Sequence, residues 1–192
     1  MSAETEGPSE LWLVRHGPTE WSENGRHTSS TDLPLLPAGE DRAREIGERL
    51  KGERFDRVLT SPLTRARRTA ELAGFADAEV DENLVEWRYG DYEGLTTEQI
   101  REQVPGWELW THPTPGGETA EAIAARLDAV IERLRAAGGR TLVFAHGHSL
   151  TVLAARWVGL PATQGGLFRL DTATVSVLGW KRESPVVVRW NA

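Results

Sequence analysis

Short apolar segments alternate with amphipathic ones along most of this chain. The short segments predict strands at 11–14, 55–60, 79–81, 141–145, 174–180 and 186–190. Between them, spaced apolar positions predict helices at 38–50, 63–73, 96–103, 120–137 and 150–159. Alternation of this kind is typical of the α/β class. We therefore expect a three-layer α/β/α sandwich with a mostly parallel central sheet.

The alternating pattern covers residues 11–192, which we predict to form a single domain. A chain of this length buries a core without covalent staples. Residues 1–10 carry three glutamates and no apolar segment, so we predict a flexible N-terminal tail rather than a signal peptide or an anchor. No apolar run reaches the roughly 20 residues that cross a bilayer, so no membrane partner is expected.

Composition narrows the classes of function. The chain has no cysteine, which excludes disulfides, thiolate catalysis and cysteine-ligated zinc, and which agrees with a cytoplasmic location. The net charge of −7 argues against a nucleic-acid partner, because such proteins gather lysine and arginine to neutralise phosphates. A local pocket for a small anion remains compatible with this charge. The oligomeric state stays open, with a homodimer among the options.

Two predicted strands end in chemically similar residues. The first strand stops at Arg15, His16 and Gly17, and a later one stops at His146 and Gly147. Parallel strands end at one edge of a sheet, where ligands collect, so the two histidines are expected side by side. A glycine at the strand end permits close backbone approach or positive φ. Amide groups, a guanidinium and imidazoles together suit a phosphate. His148 either joins them or faces solvent.

Arg65 stands in the first turn of the predicted helix 63–73. The helix dipole favours anions there, so an arginine at this place needs a reason. One reason is bidentate binding of a phosphate, and the alternative is a solvated face. The neighbouring Arg67 and Arg68 fit the solvated face.

Two segments without helical or strand periodicity lie beside the expected site. The polar segment 20–34 predicts a long loop, and long loops in compact domains are often functional. With the residue before it, this loop offers hydrogen-bonding side chains at Thr19, Ser22, Asn24, Arg26, His27 and Thr28. The segment 104–117 predicts a cover whose Trp107, Trp110 and His112 either contact substrate or pin the segment to the core.

A carboxyl group near a phosphate ester can protonate the departing alkoxide and later deprotonate water. The segment 84–94 offers Glu86, Asp91 and Glu93, with aromatic neighbours that exclude water. The residue pattern alone does not choose between Glu86 and Glu93.

Together these residues favour metal-free phosphoryl transfer. Such a reaction needs the phosphoryl oxygens neutralised and the reacting atoms aligned. Arg15, Arg65 and a protonated His146 are expected to neutralise the oxygens. A neutral His16 is the expected nucleophile, which would split hydrolysis into two steps through phosphohistidine.

Four motifs in unbroken order resemble the histidine phosphatase, or phosphoglycerate-mutase-like, superfamily. They are RHGxTEW at 15–21, SPLxRA at 61–66, Glu86 with YGxxEG at 89–94, and HG at 146–147. The resemblance implies that His16 is the phosphorylated nucleophile and that Glu86 is the general acid, with Glu93 a structural member of its loop. It implies no metal and no cofactor. The implied phosphate ligands are Arg15, Arg65 and His146, to which we add Thr19, Ser22, Thr28 and Gly147 as candidate substrate-binding residues.

Segments 25–28, 86–95 and 144–148 look most like small acid-phosphatase-like and sugar-bisphosphatase-like members. Mutases of this fold carry a longer basic insertion after the acid-bearing loop, whereas segment 107–117 has no basic insertion. We therefore expect hydrolysis of small phosphomonoesters, either sugar phosphates or a broad range. Rival functions are a phosphoglycerate mutase, a metal hydrolase using His16, His146, His148 and a carboxylate, and a non-catalytic phosphoryl-binding protein.

Three positions depart from the family pattern. Ser22 stands where asparagine is common, which leaves one side-chain phosphate contact of the family pattern open. Ser29 replaces a frequent glycine. Leu36 replaces a frequent threonine that would cap the following helix, which costs about 1 kcal/mol of stability that Pro37 partly offsets.

Overall fold

The computed structural model describes residues 8–192, and its centre is one six-stranded sheet. The strands are β1 Glu10–Arg15, β2 Arg57–Thr60, β3 Glu79–Val80, β4 Arg140–Ala145, β5 Val175–Lys181 and β6 Ser184–Arg189. Their order across the sheet is β3-β2-β4-β1-β5-β6. The first four in this order are parallel, and β5 and β6 join antiparallel at the β1 side. The predicted mostly parallel α/β sheet is confirmed.

Six α-helices surround the sheet in the described part of the chain. They are α1 Glu20–Glu23, α2 Pro37–Arg49, α3 Thr64–Leu72, α4 Thr97–Gln103, α5 Ala120–Ala137 and α6 Gly147–Trp157. Short 3-10 helices lie at Glu82–Leu84, Gly90–Tyr92 and Ala162–Leu167. None of the helices in residues 8–192 is long and apolar enough to span a membrane.

The sheet separates two hydrophobic clusters because side chains alternate along a strand. Along β1, Leu11 and Leu13 face one cluster, which includes buried residues of α5 and α6. Trp12 and Val14 face the other, which includes buried residues of α2 and α3. These are the three layers that the sequence predicts.

The first strand starts inside the predicted tail. The N–H of Glu10 donates to the carbonyl of Gly139 at 2.9 Å, and Ser9 is buried with its carbonyl accepting from the Trp180 indole. The assignment of residues 9 and 10 to a flexible tail was therefore wrong, because Gly139 and Trp180 of the same chain form hydrogen bonds with them. Residues 1–7 of that predicted tail lie outside the described residues.

The polar segment 20–34 contains one helix that periodicity does not reveal, the single turn α1. A capping box forms it: the Thr19 hydroxyl accepts from the Ser22 N–H, and the Ser22 hydroxyl accepts from the Thr19 N–H. Capping, rather than an apolar face, stabilises this turn.

Candidate active site

The ends of β1 and β4 bring the two predicted histidines together. Arg15 and Ala145 are partners in the parallel register, so the residues that follow leave the sheet at the same edge. The rings of His16 and His146 are 5.2 Å apart between centroids, and both side chains are buried. The His16 N–H donates to the Ala145 carbonyl at 3.0 Å, which fixes the backbone at this edge.

Gly17 is required here by close packing rather than by positive φ. A Cβ at Gly17 would lie 2.5 Å from the carbonyl oxygen of Gly39, near the start of α2, and a Cβ at Gly39 would lie 2.4 Å from the Pro18 carbonyl oxygen. No L side chain tolerates these distances without backbone movement. The pair of glycines thus lets the β1 end pass directly against α2.

The hydrogen bonds of His16 determine which nitrogen is free to react. Its Nδ1 lies 2.7 Å from the Gly17 carbonyl oxygen, which can only accept, so Nδ1 carries the proton. In the neutral ring, Nε2 then keeps its lone pair. Burial lowers the pKa of His16 well below its usual value, and the Arg65 and Arg15 guanidiniums lower it further. The ring is therefore neutral and has the tautomer of a nucleophile.

His146 has the opposite tautomer. Its Nδ1 accepts from Arg65 Nε–H at 3.2 Å, so the proton of the neutral ring lies on Nε2, 2.7 Å from the Ser61 hydroxyl oxygen. Burial, followed by the Arg65 charge, lowers the pKa of His146 well below its usual value. The expected protonated His146 was wrong, because a buried imidazole that accepts from a guanidinium cannot also hold a proton there.

Arg65 lies beneath the cavity rather than in its lining. The side chain is fully buried, and besides His146 it donates to the carbonyls of Thr28, Ser29 and Thr31 at 3.1–3.3 Å. Its charge therefore lies against His146 and close enough to His16 to act on both rings, and its hydrogen bonds hold the 28–31 loop.

Arg15 lines the cavity and packs against the start of α6. A Cβ at Gly147 would lie 3.3 Å from Arg15 Cζ and Nε, so the glycine leaves room for the guanidinium. One Nη donates to the Leu170 carbonyl, while the buried Nε has no partner among the described residues. A cavity-lining cation with an unsatisfied donor is suited to an anion.

Glu86 also lines the cavity, 5% exposed, with its carboxylate against the N-terminus of α6. Oε1 accepts from the N–H groups of Trp87 at 2.8 Å and Ser149 at 2.7 Å, and Oε2 accepts from His148 N–H at 3.0 Å. These three donors fix the orientation of the carboxylate and leave Oε2 the less engaged oxygen.

Glu93 does not line the cavity. Its carboxylate accepts from the N–H and hydroxyl of Ser29 at 2.8 and 2.7 Å and from the N–H of Thr31 at 3.1 Å. Of the two carboxylates that the residue pattern left open, Glu86 faces the cavity and Glu93 braces the 29–31 loop. The Ser29 side chain, a departure from the family pattern, adds one of these hydrogen bonds.

The remaining predicted binding residues surround a cavity of about 640 Å³, and Thr19, Ser22, Thr28, His27 and Gly147 all line it. The hydroxyls of Thr19 and Ser22 form hydrogen bonds at the N-terminal cap of α1. The Thr28 hydroxyl donates to the Arg26 carbonyl at 3.1 Å.

The covering segment contributes part of the cavity wall. Trp107 and Trp110 line the cavity, and Trp110 packs on Gly165 and Gly166. His112 does not line it. Its Nδ1 accepts instead from the Glu108 N–H at 3.2 Å, which closes a local turn.

One wall of the cavity is a cluster of aromatic and imidazole rings. The Tyr89 hydroxyl lies 2.5 Å from His148 Nδ1, and the His27 ring contacts both Tyr89 and Trp107. Burial, followed by the Glu86 charge, raises the pKa of Tyr89 well above its usual value, and burial lowers the pKa of His148 to about 4. The phenol therefore keeps its proton, and His148 is neutral and turned toward the cavity.

Two residues that the sequence pattern does not reveal, Glu118 and Arg126, hold the Glu86 backbone. Arg126 on α5 donates to the carbonyls of Val85 at 2.9 Å, Glu86 at 3.2 Å and Asn83, and both oxygens of Glu118 accept from it at 2.7 and 2.9 Å. The Glu118 side chain is 2% exposed. The only signal in the sequence is a carboxylate directly before the helix cap Thr119.

No group of three or more histidine, aspartate and glutamate side chains within residues 8–192 is arranged to hold a metal ion. His146 and His148, which a metal site would need together, belong to separate hydrogen-bond networks with Arg65 and with Tyr89.

The fold, the paired histidines and the arginine-lined cavity define a class of phosphoryl-transfer proteins, and the chain belongs to the histidine phosphatase superfamily. The family model for branch 1 of this superfamily matches residues 11–192. The chain is a phosphoric monoester hydrolase of this family.

Relatives place the chain nearer to phosphatases than to mutases. An acid phosphatase from Mycobacterium tuberculosis is 42% identical over 175 residues, which cover 89% of this chain and 86% of the relative. A sedoheptulose 1,7-bisphosphatase from Saccharomyces cerevisiae is 38% identical over 181 residues, covering 77% and 67%. A probable phosphoglycerate mutase from Salmonella choleraesuis is less similar, at 29% identity. The predicted family is confirmed, as is the predicted closer similarity to acid-phosphatase-like and sugar-bisphosphatase-like members than to mutases.

The fold has a close match among solved structures. The product of open reading frame Rv3214 from Mycobacterium tuberculosis superimposes with a TM-score of 0.89 at 37% identity. The match covers 95% of this chain and 97% of that one.

Proposed function

We propose that the protein hydrolyses small phosphomonoesters without a metal, through a phosphohistidine on His16. The observation that carries this proposal is the hydrogen bond from His16 Nδ1 to the Gly17 carbonyl, which leaves Nε2 unprotonated in a cavity lined by Arg15. A neutral, oriented imidazole beside a guanidinium is the arrangement that nucleophilic attack on a phosphate ester requires.

In the first step, His16 Nε2 attacks phosphorus while the bond from phosphorus to the ester oxygen breaks. Glu86, protonated on Oε2, gives its proton to the departing alkoxide, which leaves as a neutral alcohol. The position of Glu86 supports this role, since its carboxylate lines the same cavity as His16 and is held by three N–H donors.

In the second step, the Glu86 carboxylate takes a proton from water, and the resulting hydroxide attacks phosphorus. The phosphorus–nitrogen bond breaks, and its electron pair returns to His16 Nε2. Inorganic phosphate leaves, and both residues regain their starting protonation states.

Positive charge near the phosphoryl group supports both steps, because charge spreads over its oxygens in the transition state. In our proposal Arg15 binds the phosphate from the cavity wall, and Arg65 contributes from below, where it touches His146. His146 would reach a phosphoryl oxygen through its Nε2–H, which now faces Ser61. Further substrate contacts would come from Thr19, Ser22, Thr28 and the Gly147 backbone.

Water is the favoured acceptor in this proposal. Segment 107–117 borders the cavity and lacks the basic insertion that mutases of this fold carry after the acid-bearing loop. A cavity of about 640 Å³ suits a sugar phosphate or another small ester.

The test is phosphate release from a panel of phosphomonoesters in the presence of a chelator. The variant His16→Ala should lower kcat by about a thousandfold or more. The matched control His112→Ala removes a histidine outside the cavity and should keep the activity. Undiminished release by His16→Ala would contradict the nucleophile, and inhibition by the chelator would contradict the metal-free reaction. Phosphoester binding without release would instead indicate a binding protein.

A further inference from the structure

The cavity extends beyond the groups that the proposed reaction uses. Its exposed outer part is lined by Arg26, from the loop after α1, and by Arg101, on α4. We propose that these two arginines form a second anion subsite, so that preferred substrates carry a phosphate or a carboxylate at the end remote from the reacting phosphate. This inference rests on the proposed function and specifies its substrate class.

Backbone pairing brings the two arginines to the same side of the cavity. Arg26 forms an isolated antiparallel bridge with Thr96, the residue that caps α4. Next to it, His27 N–H donates to the Leu95 carbonyl at 2.9 Å, and Gly94 N–H donates to the His27 carbonyl at 2.8 Å. The loop that carries Arg26 is therefore joined to the start of the helix that carries Arg101.

Both guanidiniums keep donors for a ligand. Arg101 is oriented by one hydrogen bond, from its Nε to the Trp107 carbonyl at 2.8 Å, and its nearest carboxylate, on Glu108, is 3.7 Å away and half-exposed. The Arg26 guanidinium lies 6.0 Å from the centroid of the Trp21 ring and pairs with no carboxylate in residues 8–192. Even after Glu108 is counted, this side of the cavity keeps a net positive charge.

A fourth arginine at the cavity provides a contrast. Arg169 lines another part of the cavity, and its Nε donates to Asp171 at 3.1 Å. Because Asp171 already balances the charge of Arg169, this arginine is not part of the proposed subsite.

Pairs of esters that differ in one distal charge test the proposal. For a carboxylate, 3-phosphoglycerate is compared with glycerol 3-phosphate, and for a phosphate, glucose 1,6-bisphosphate is compared with glucose 6-phosphate. The readout is the ratio of kcat/KM for the member with the distal anionic group to that for the member without it. A ratio above about ten is expected in at least one pair at low salt, falling as salt is added. The pair that shows it identifies the anion.

The double variant Arg26→Gln/Arg101→Gln should lower this ratio about tenfold, whereas Arg169→Gln should leave it unchanged. The single variant Arg26→Gln, at an exposed and unpaired residue, serves if the double variant does not fold. A wild-type ratio near one, or an equal fall in Arg169→Gln, would overturn the subsite while leaving the phosphatase intact. If no ester is hydrolysed at all, the proposed function fails and the subsite with it.

Discussion

The two neighbouring imidazoles His16 and His146 hold their protons on different nitrogens. A carbonyl at Nδ1 fixes the first ring, and a guanidinium at Nδ1 fixes the second. Of the two, only His16 lines the cavity. The atom bonded to Nδ1 sets the tautomer of each ring, so that His16 is suited to be the nucleophile and His146 to be a supporting residue.

At Glu86, the change to test is Glu86→Gln, which keeps the shape of the side chain and removes its acid function. Hydrolysis of an alkyl phosphate should fall by about 10² to 10⁴, because the alkoxide then leaves without a proton. Hydrolysis of p-nitrophenyl phosphate, whose leaving group is stable as an anion, should fall much less. Equal losses for the two substrates would remove Glu86 from the role of general acid.

The pH dependence of kcat/KM tests the protonation state of His16. Burial and two arginines lower the pKa of this residue well below its usual value, so its neutral form persists as the pH falls. The ionisation of the substrate is measured separately by phosphorus NMR and removed from the profile. The remaining acid limb, which belongs to the enzyme, should lie well below pH 6.5. An enzyme limb centred near 6.5 would show an ordinary, solvated histidine.

At the scale of single elements, two helices with different caps make opposite predictions. Leu36 precedes α2 without any side-chain cap, whereas Thr96 begins α4 with a complete capping box. Leu36→Ser should therefore raise the free energy of unfolding by about 0.5–1 kcal/mol, and Thr96→Ala should lower it by about 1 kcal/mol. Urea denaturation measures both. A loss of stability in Leu36→Ser would mean that packing of this side chain outweighs the missing cap.

The buried pair of Glu118 and Arg126 connects α5 to the segment that bears Glu86. Glu118→Gln leaves the guanidinium without its counter-ion, so we expect a loss of about 3 kcal/mol in unfolding free energy together with a lower kcat. Asp128→Asn is the matched control, because its pair with Arg156 joins α5 to α6 but is about one-third exposed, and it should cost at most about 1 kcal/mol. Similar costs for the two variants would contradict the structural role of Glu118.

At the scale of the whole molecule, an acidic chain concentrates arginine in one cavity. The net charge is −7, yet Arg15, Arg26 and Arg101 all line the same cavity. Arg65 adds its charge from beneath the site, against His146. A local positive field of this kind attracts small anions, while the acidic surface does not favour binding of nucleic acid.

Much of this architecture is predictable from the sequence because it depends on local patterns. The apolar runs before His16 and His146, together with the parallel-sheet rule, predict both the edge and the pairing of the rings. The tautomers, by contrast, depend on Gly17, Ser61 and Arg65, whose distances to the rings are set by packing. The turn at α1 and the Glu118–Arg126 pair depend on side-chain hydrogen bonds. These leave no periodic pattern in the sequence, so neither feature was predictable.

The proposed reaction passes through a covalent phosphohistidine on His16. The most direct measurement is rapid quenching of the enzyme during turnover at alkaline pH, followed by peptide mass spectrometry, since a phosphorus–nitrogen bond survives base and is lost in acid. We predict an acid-labile phosphate on the peptide that contains His16 in the wild-type protein and in Glu86→Gln, and none in His16→Ala. Turnover without any phosphorylated histidine, or with the phosphate on His146, would contradict His16 as the nucleophile.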